Sequence, residues 1–243
     1  MISRNLFKFN NILLKKLEKN NLKPIYHKLN LNDFDINIES LNRLRLSYNN
    51  LPIDKFYPDN KIIPNRFRRY SSFNIIIDGN KININKLNNN VFKQGVNDFR
   101  NKSRYFEPIE DHIINNELTS LFIPIISLVH HYESSIKQIK IDVHQVRLLS
   151  FNNQPADNAP EGIHQDGADY IISALILNKC NIENDHSIIY DNNKKELYRT
   201  NLNLGEFIFQ DDKNLWHDIT PLKAIENYNG YRDILGFDIK LKH

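Results

Sequence analysis

Two histidines and an aspartate carry the chemistry most open to this sequence. His164 and Asp166 stand two apart in Pro160-Glu161-Gly162-Ile163-His164-Gln165-Asp166-Gly167, and His217 follows about 50 residues later. In an extended segment residues i and i+2 point to one side, so both could ligate the same ion. Two histidines and one carboxylate on one side of a metal suit Fe(II), with three positions left open for a chelating cosubstrate and dioxygen. The same set with a bound water suits zinc and hydrolysis. A His-x-Asp pair alone carries little weight in a chain with 9 histidines, because short motifs recur by chance. Order and surroundings add the rest.

An anionic cosubstrate needs an anchor. Arg232 lies 15 residues beyond His217, at the start of the last strand candidate, and a guanidinium holds a carboxylate in a two-pronged fork. Alternation puts Arg232, Ile234 and Gly236 on one face and Asp233, Leu235 and Phe237 on the other. Gly236 leaves room beside the arginine. In His144-Gln145-Val146-Arg147 the same rule pairs Gln145 with Arg147. Turned inward, these two would need partners, and ligand oxygens would supply them.

The elements that must position these residues form an α+β pattern. Residues 1–60 read as helical patches with Asn-rich connectors: Leu6, Phe9, Leu13, Leu14 and Leu17 fall at helical spacing, then Leu41, Leu44 and Tyr48. Pro52, Pro58 and Pro64 punctuate a loop. A strand begins at Arg66 and ends at Asp78-Gly79. Ile113, Ile114, Leu118, Leu121 and Phe122 give a helical stripe within 109–135. Residues 139–243 are β-rich, with strand candidates at 141–149, 170–177, 187–190, 197–202, 206–210 and 232–241. Short strands at this spacing suggest a sandwich or barrel. We see no repeat and no linker, so 1–243 reads as a single domain.

Composition excludes other classes. One cysteine, Cys180, rules out an internal disulfide framework and a Cys-based zinc finger. A formal charge of +3 gives no argument for nucleic acid. The apolar run Leu118 to Val129 is too short to cross a membrane. The basic, amphipathic N-terminus has the look of a mitochondrial presequence, but a surface helix fits it better. The expected location is the cytoplasm.

The motifs together resemble the 2-oxoglutarate/Fe(II) dioxygenase family that includes bacterial hydroxylases of free L-amino acids such as isoleucine, leucine and methionine. The resemblance runs from about Arg66 to the C-terminus. It rests on Arg66-Phe67-Arg68-Arg69-Tyr70-Ser71, Arg104-Tyr105-Phe106-Glu107-Pro108, His144-Gln145-Val146-Arg147, Pro160 to Gly167, His217-Asp218-Ile219-Thr220-Pro221 and Tyr231-Arg232-Asp233. It implies a double-stranded β-helix, or jelly roll, flanked by helices. It implies iron on His164, Asp166 and His217, 2-oxoglutarate on Arg232, and dioxygen as co-reactant; the alternation above makes Gln145 a further candidate contact to the cosubstrate. The sequence departs from the family where a Gly-Gly pair is usual: Asn181-Ile182 is followed by Glu183, Asn184 and Asp185.

An amino-acid substrate needs a cation for its carboxylate and an acceptor for its ammonium. Arg147, Arg68 and Arg66 are candidates for the first and Asp169 for the second, with Tyr70 and Phe73 as candidate apolar lining. The expected partner is this small molecule alone, with neither nucleic acid nor membrane. The alternatives are a jelly-roll module that binds a metabolite or partner without catalysis, and a zinc-dependent hydrolase.

Overall fold

The computed structural model describes residues 2–18, 24–57, 64–93, 103–151, 154–157 and 159–242. Fifteen strands and three helices follow one another among them. The strands are β1 (Ile2–Asn5), β2 (Tyr26–Asn30), β3 (Arg66–Asp78), β4 (Lys81–Leu87), β5 (Val91–Phe92), β6 (Arg104–Tyr105), β7 (Gln138–Ser150), β8 (Tyr170–Cys180), β9 (Ile182–Glu183), β10 (His186–Tyr190), β11 (Glu196–Asn201), β12 (Glu206–Asp211), β13 (Trp216–Ile219), β14 (Lys223–Ala224) and β15 (Gly230–Lys242). The helices are α1 (Asn11–Glu18), α2 (Asn42–Ser47) and α3 (Asp111–Tyr132).

Eight strands form one antiparallel sheet in the order β1-β4-β3-β7-β15-β8-β12-β2. A smaller sheet, β11-β10-β13, packs across it. Val146, Ala174, Ile176, Ile208 and Ile234 of the large sheet meet Ile189, Leu202 and Leu215 of the small side. The opposite face of the large sheet carries Phe73, Ile75, Ile139, Ile141, Val143, Leu235, Phe237 and Ile239, which pack on α1, α2 and α3. This is a jelly roll with helices on its outer face. Register settles which residues share the inner face: Arg68, Val146 and Ile234 stand in one row, and Tyr70, His144 and Gly236 in the next. Even numbers on β3, β7 and β15 face the small sheet.

Several sequence expectations change. Residues 2–10 are not helical: β1 pairs with β4 at the sheet edge, and the helix begins only at Asn11. The segment before residue 60 supplies two strands of the large sheet as well as helices, and Pro58 lies outside the described residues. The apolar run at 118–129 belongs to a longer helix. α3 spans 22 residues, passes through Pro124 and contains a π turn, Ile114–Leu118. By length and composition it could cross a membrane, but 72% of its apolar window is buried inside the protein.

Candidate active site

His217 sits on β13, paired with Ile189 of β10. His164 lies in the loop between β7 and β8, yet its backbone exchanges two hydrogen bonds with that of His217, each 3.0 Å. Gly162 and Gly167 flank the metal pair with φ of +69° and +75°, a left-handed conformation that glycine adopts without Cβ strain. These turns bring Asp166 round to the two imidazoles. One donor atom from each of His164, Asp166 and His217 lies within 4.8 Å of the others. His164 Nε2 is 3.6 Å from Asp166 Oδ1, and His217 Nε2 is 3.5 Å from Asp166 Oδ2.

The surroundings prepare these groups for a cation. His164 Nδ1–H donates to the Gly162 carbonyl at 2.7 Å, which leaves the Nε2 lone pair facing Asp166. Burial, then the neighbouring His164, lowers His217 to about 3, so its ring is neutral. Burial lowers His164 too, but Asp166, Glu161 and the Gly162 carbonyl outweigh it and raise the group. Behind the triad Asp212 accepts from the backbone N–H groups of Asp166 and Ala168 at 3.2 and 2.9 Å. Burial and the charge of Asp166 push Asp212 up to about 7. A divalent cation between two neutral imidazoles and a carboxylate relieves this crowding of negative charge. The donor set fits Fe(II) with open positions.

Arg232 is 2% exposed, on the inner face two residues before Ile234. Its Nη1 lies 3.6 Å from Asp185 Oδ2, an ion pair too long for a hydrogen bond. Asp185 also takes a hydrogen bond from Lys179 Nζ at 2.8 Å. Arg232 Nε and Ser187 Oγ are buried polar atoms without hydrogen-bond partners among the described residues. This corner holds two cations against one anion, so a ligand carboxylate would balance its charge and meet the guanidinium. The loop that replaces the expected Gly-Gly pair runs through here. Asn181 and Asn184 take positive φ, 50° and 60°, the conformation a glycine would supply.

The cavity beside the triad is lined on its apolar side by Val146, Ile172, Ala174, Ile219 and Ile234. Its other wall is charged: Arg66, Arg68 and Arg104 from β3 and β6, with His144 and Asp238 below them. Arg66 donates to Asp54 at 2.8 Å and lies 4.4 Å from the Tyr57 ring. Arg104 stacks over Phe92. Gly236 lines the floor, where an added Cβ would come within 3.6 Å of His144 Cβ.

The structure brings together His164, Asp166 and His217, buries Arg232 on the inner face, and lines the cavity with Arg66 and Arg68. It places the other candidates elsewhere. Gln145 points to the helical side and donates to Ser47 Oγ at 2.7 Å. Arg147 points the same way and forks onto Asp233, at 2.6 and 2.7 Å. Both are ruled out as cavity residues by the phase of β7. Asp169 follows the triad loop but turns outward, accepting from the Leu241 backbone N–H at 2.6 Å and pairing with Lys213. Tyr70 stands behind the wall, its hydroxyl on Asp142 at 2.7 Å, and Phe73 belongs to the helix-side core. Sequence reasoning gave no role to Arg104, His144, Asp238, Asp185 or Asp212. Asp238 was reachable by extending the Arg232-Ile234-Gly236 alternation along β15. Arg104, on a two-residue strand, had no periodic signal.

A family model described as 2OG-Fe dioxygenase matches residues 45–238. Among solved structures the fold is similar to a BsmA homologue from Methylobium petroleophilum, with a TM-score of 0.78 at 18% identity over 93% of this chain and 92% of that one. It is also similar to IDO from Bacillus thuringiensis, TM-score 0.74 at 20% identity, covering 95% of this chain and all of that one (100%). A third is the Fe(II)/α-ketoglutarate-dependent dioxygenase TqaL, TM-score 0.67 at 15% identity over 95% and 88% of the two chains. At these identities the likeness establishes the fold. No curated protein matches the sequence. The family model spans most of the sequence and includes all three members of the triad, and on that match the chain belongs to the 2OG-Fe dioxygenase family.

Proposed function

We propose that this 2-oxoglutarate-dependent dioxygenase hydroxylates an unactivated C–H bond of a free L-amino acid or a similar small molecule. The observation that carries the reading is the two-sided cavity: apolar side chains on one wall, buried arginines on the other, both beside the triad. A small substrate with one anionic end and one aliphatic end matches it. His164, Asp166 and His217 would hold Fe(II), and Arg232 with Ser187 would take the distal carboxylate of 2-oxoglutarate. Fe(II), 2-oxoglutarate and dioxygen held there would supply the oxidation, one oxygen atom going to the substrate and the other to succinate as carbon dioxide is released. The chain's own residues orient and shield. Arg68 binds the anionic end. Val146, Ile172 and Ile234 exclude water and set the target carbon toward the triad. Asp212 holds the backbone of Asp166 and Ala168, which keeps the carboxylate in place.

The test is a screen of the protein amino acids with Fe(II) and 2-oxoglutarate, following succinate and the mass gain of one oxygen. At least one aliphatic amino acid gains oxygen in step with succinate, and His164→Ala loses turnover by several powers of ten. Succinate formation that no amino acid stimulates overturns the substrate reading. Turnover that survives both His164→Ala and Asp166→Ala overturns the triad assignment.

A further inference from the structure

Three side chains on the charged wall form a hydrogen-bonded row across β3, β7 and β15. Arg68 reaches His144 Nδ1 through a guanidinium nitrogen, and His144 Nε2 lies 3.0 Å from Asp238 Oδ2. All three line the cavity, and none is more than 9% exposed. The row is held rigidly. The Arg68 guanidinium lies 4.5 Å from the Phe106 ring centre and 5.3 Å from that of Phe92. The His144 ring packs between Tyr70 and Phe92, at 5.2 and 4.7 Å.

Burial and the adjacent Arg68 keep His144 well below its ordinary pKa, hence neutral. A neutral imidazole has one donor and one acceptor. Arg68 can only donate, so Nδ1 accepts and Nε2–H donates to Asp238. The row therefore presents a cation and a carboxylate held one neutral ring apart, and the carboxylate's ionised form lacks a cation partner. Each end is costly as it stands. Arg68 Nε is a buried donor with no acceptor among the described residues. Asp238 is buried beside a second carboxylate, Asp142, and these two influences push it up to about 7.

We propose that Arg68, His144 and Asp238 are the head-group site for an α-amino acid, with Arg68 taking the carboxylate and Asp238 the ammonium. The assignment rests on the amino-acid reading of the substrate and names the groups that would enforce it. A molecule with both charges on one carbon meets both ends at once. A deaminated acid satisfies Arg68 and leaves Asp238 buried without a cation. A decarboxylated amine does the reverse. Asp238 thus takes the role that sequence alone gave to Asp169.

The row could also serve only to tie three strands together, so the test must read ligand preference rather than activity. Binding of L-isoleucine, L-leucine and L-methionine is measured by calorimetry without oxygen, on protein loaded with Mn(II) and 2-oxoglutarate. Each is compared with its deaminated acid and its decarboxylated amine. Wild type prefers at least one amino acid over both counterparts by about tenfold or more. Asp238→Asn loses that preference over the deaminated acid, whose own affinity stays within about twofold. Arg68→Gln loses the preference over the amine, so either variant alone decides if the other does not fold. Equal losses for the amino acid and its counterpart, or no loss, refute the head-group assignment and leave the amino-acid reading standing. If wild type binds none of the protein amino acids, that reading fails, and the assignment with it.

Discussion

Lys179, Arg232 and Asp185 place two positive charges and one negative in a corner where Arg232 and Asp185 are 2% and 1% exposed. Burial lowers Arg232 to about 10 against the pull of Asp185, so the guanidinium stays charged yet poorly solvated. A bidentate ligand carboxylate gains most where water is absent. Arg232→Lys keeps the charge and loses the fork, and should weaken 2-oxoglutarate binding by about one to two powers of ten. The shift in melting temperature against 2-oxoglutarate concentration, with Mn(II) present, checks this. An unchanged titration would remove Arg232 as the anchor. At this scale His164 and Asp166 were legible because two glycines and an i, i+2 spacing encode them locally, whereas His217 was legible only from its order after them. Gln145 and Arg147 were misread for a physical reason. β7 is buried on both faces along much of its length, so its hydrophobicity does not alternate and its phase is hidden. The neighbours of His144 fix that phase only through pairing with β3 and β15.

Gly230 opens β15 directly against the 181–185 loop. A Cβ there would stand 2.2 Å from the Asn181 carbonyl oxygen and 2.6 Å from Ile182 Cγ2. Neither backbone can yield without moving the loop that holds Asp185. Gly230→Ala should therefore destabilise the protein by about 1–3 kcal/mol and weaken 2-oxoglutarate binding as well. Urea denaturation measures the first. Wild-type stability in this variant would show the loop to be free to shift. The pairing also explains which elements the sequence revealed. β3, β8, β12 and β15 are bounded by turn residues and rich in branched or aromatic side chains, so they stand out. β2 and β13 do not, because five- and four-residue strands are defined by partners distant in sequence. The helical stripe within 109–135 is present as α3, which runs on through Pro124 as one helix.

The whole molecule separates its dry core from its charged interior by the two faces of one sheet. Helices cover the largely apolar face, which carries the Arg147–Asp233 pair, while Arg66, Arg68, His144 and Asp238 look inward. This division leaves a signature in stability. Asp238 rises from 3.8 to about 7 on folding, through burial and Asp142. Between those values the native metal-free protein holds a proton that the unfolded chain releases, so stability falls as pH rises through that window. The slope is at most about 1.4 kcal/mol per pH unit from this group. Asp54, lowered by Arg66 and Arg68 against the opposing effect of burial, acts the other way. Its contribution is present above the ordinary aspartate value and is lost only at more acidic pH. Buried His144 and His217, held neutral, act in the opposite sense, so the comparison is between proteins: from about pH 5 to about pH 7 wild type should lose stability relative to Asp238→Asn, as denaturation at each pH measures. Equal slopes would mean that Asp238 is ionised throughout.

The backbone bridge between His164 and His217 has a consequence for metal exchange. Two ligands 53 residues apart are clipped together by peptide groups, with 3.0 Å bonds in both directions. The entropy of gathering the ligands is spent when the sheets form, not when the metal arrives. We expect Mn(II), Co(II) or Zn(II) to occupy the same donors without the chain refolding around the ion.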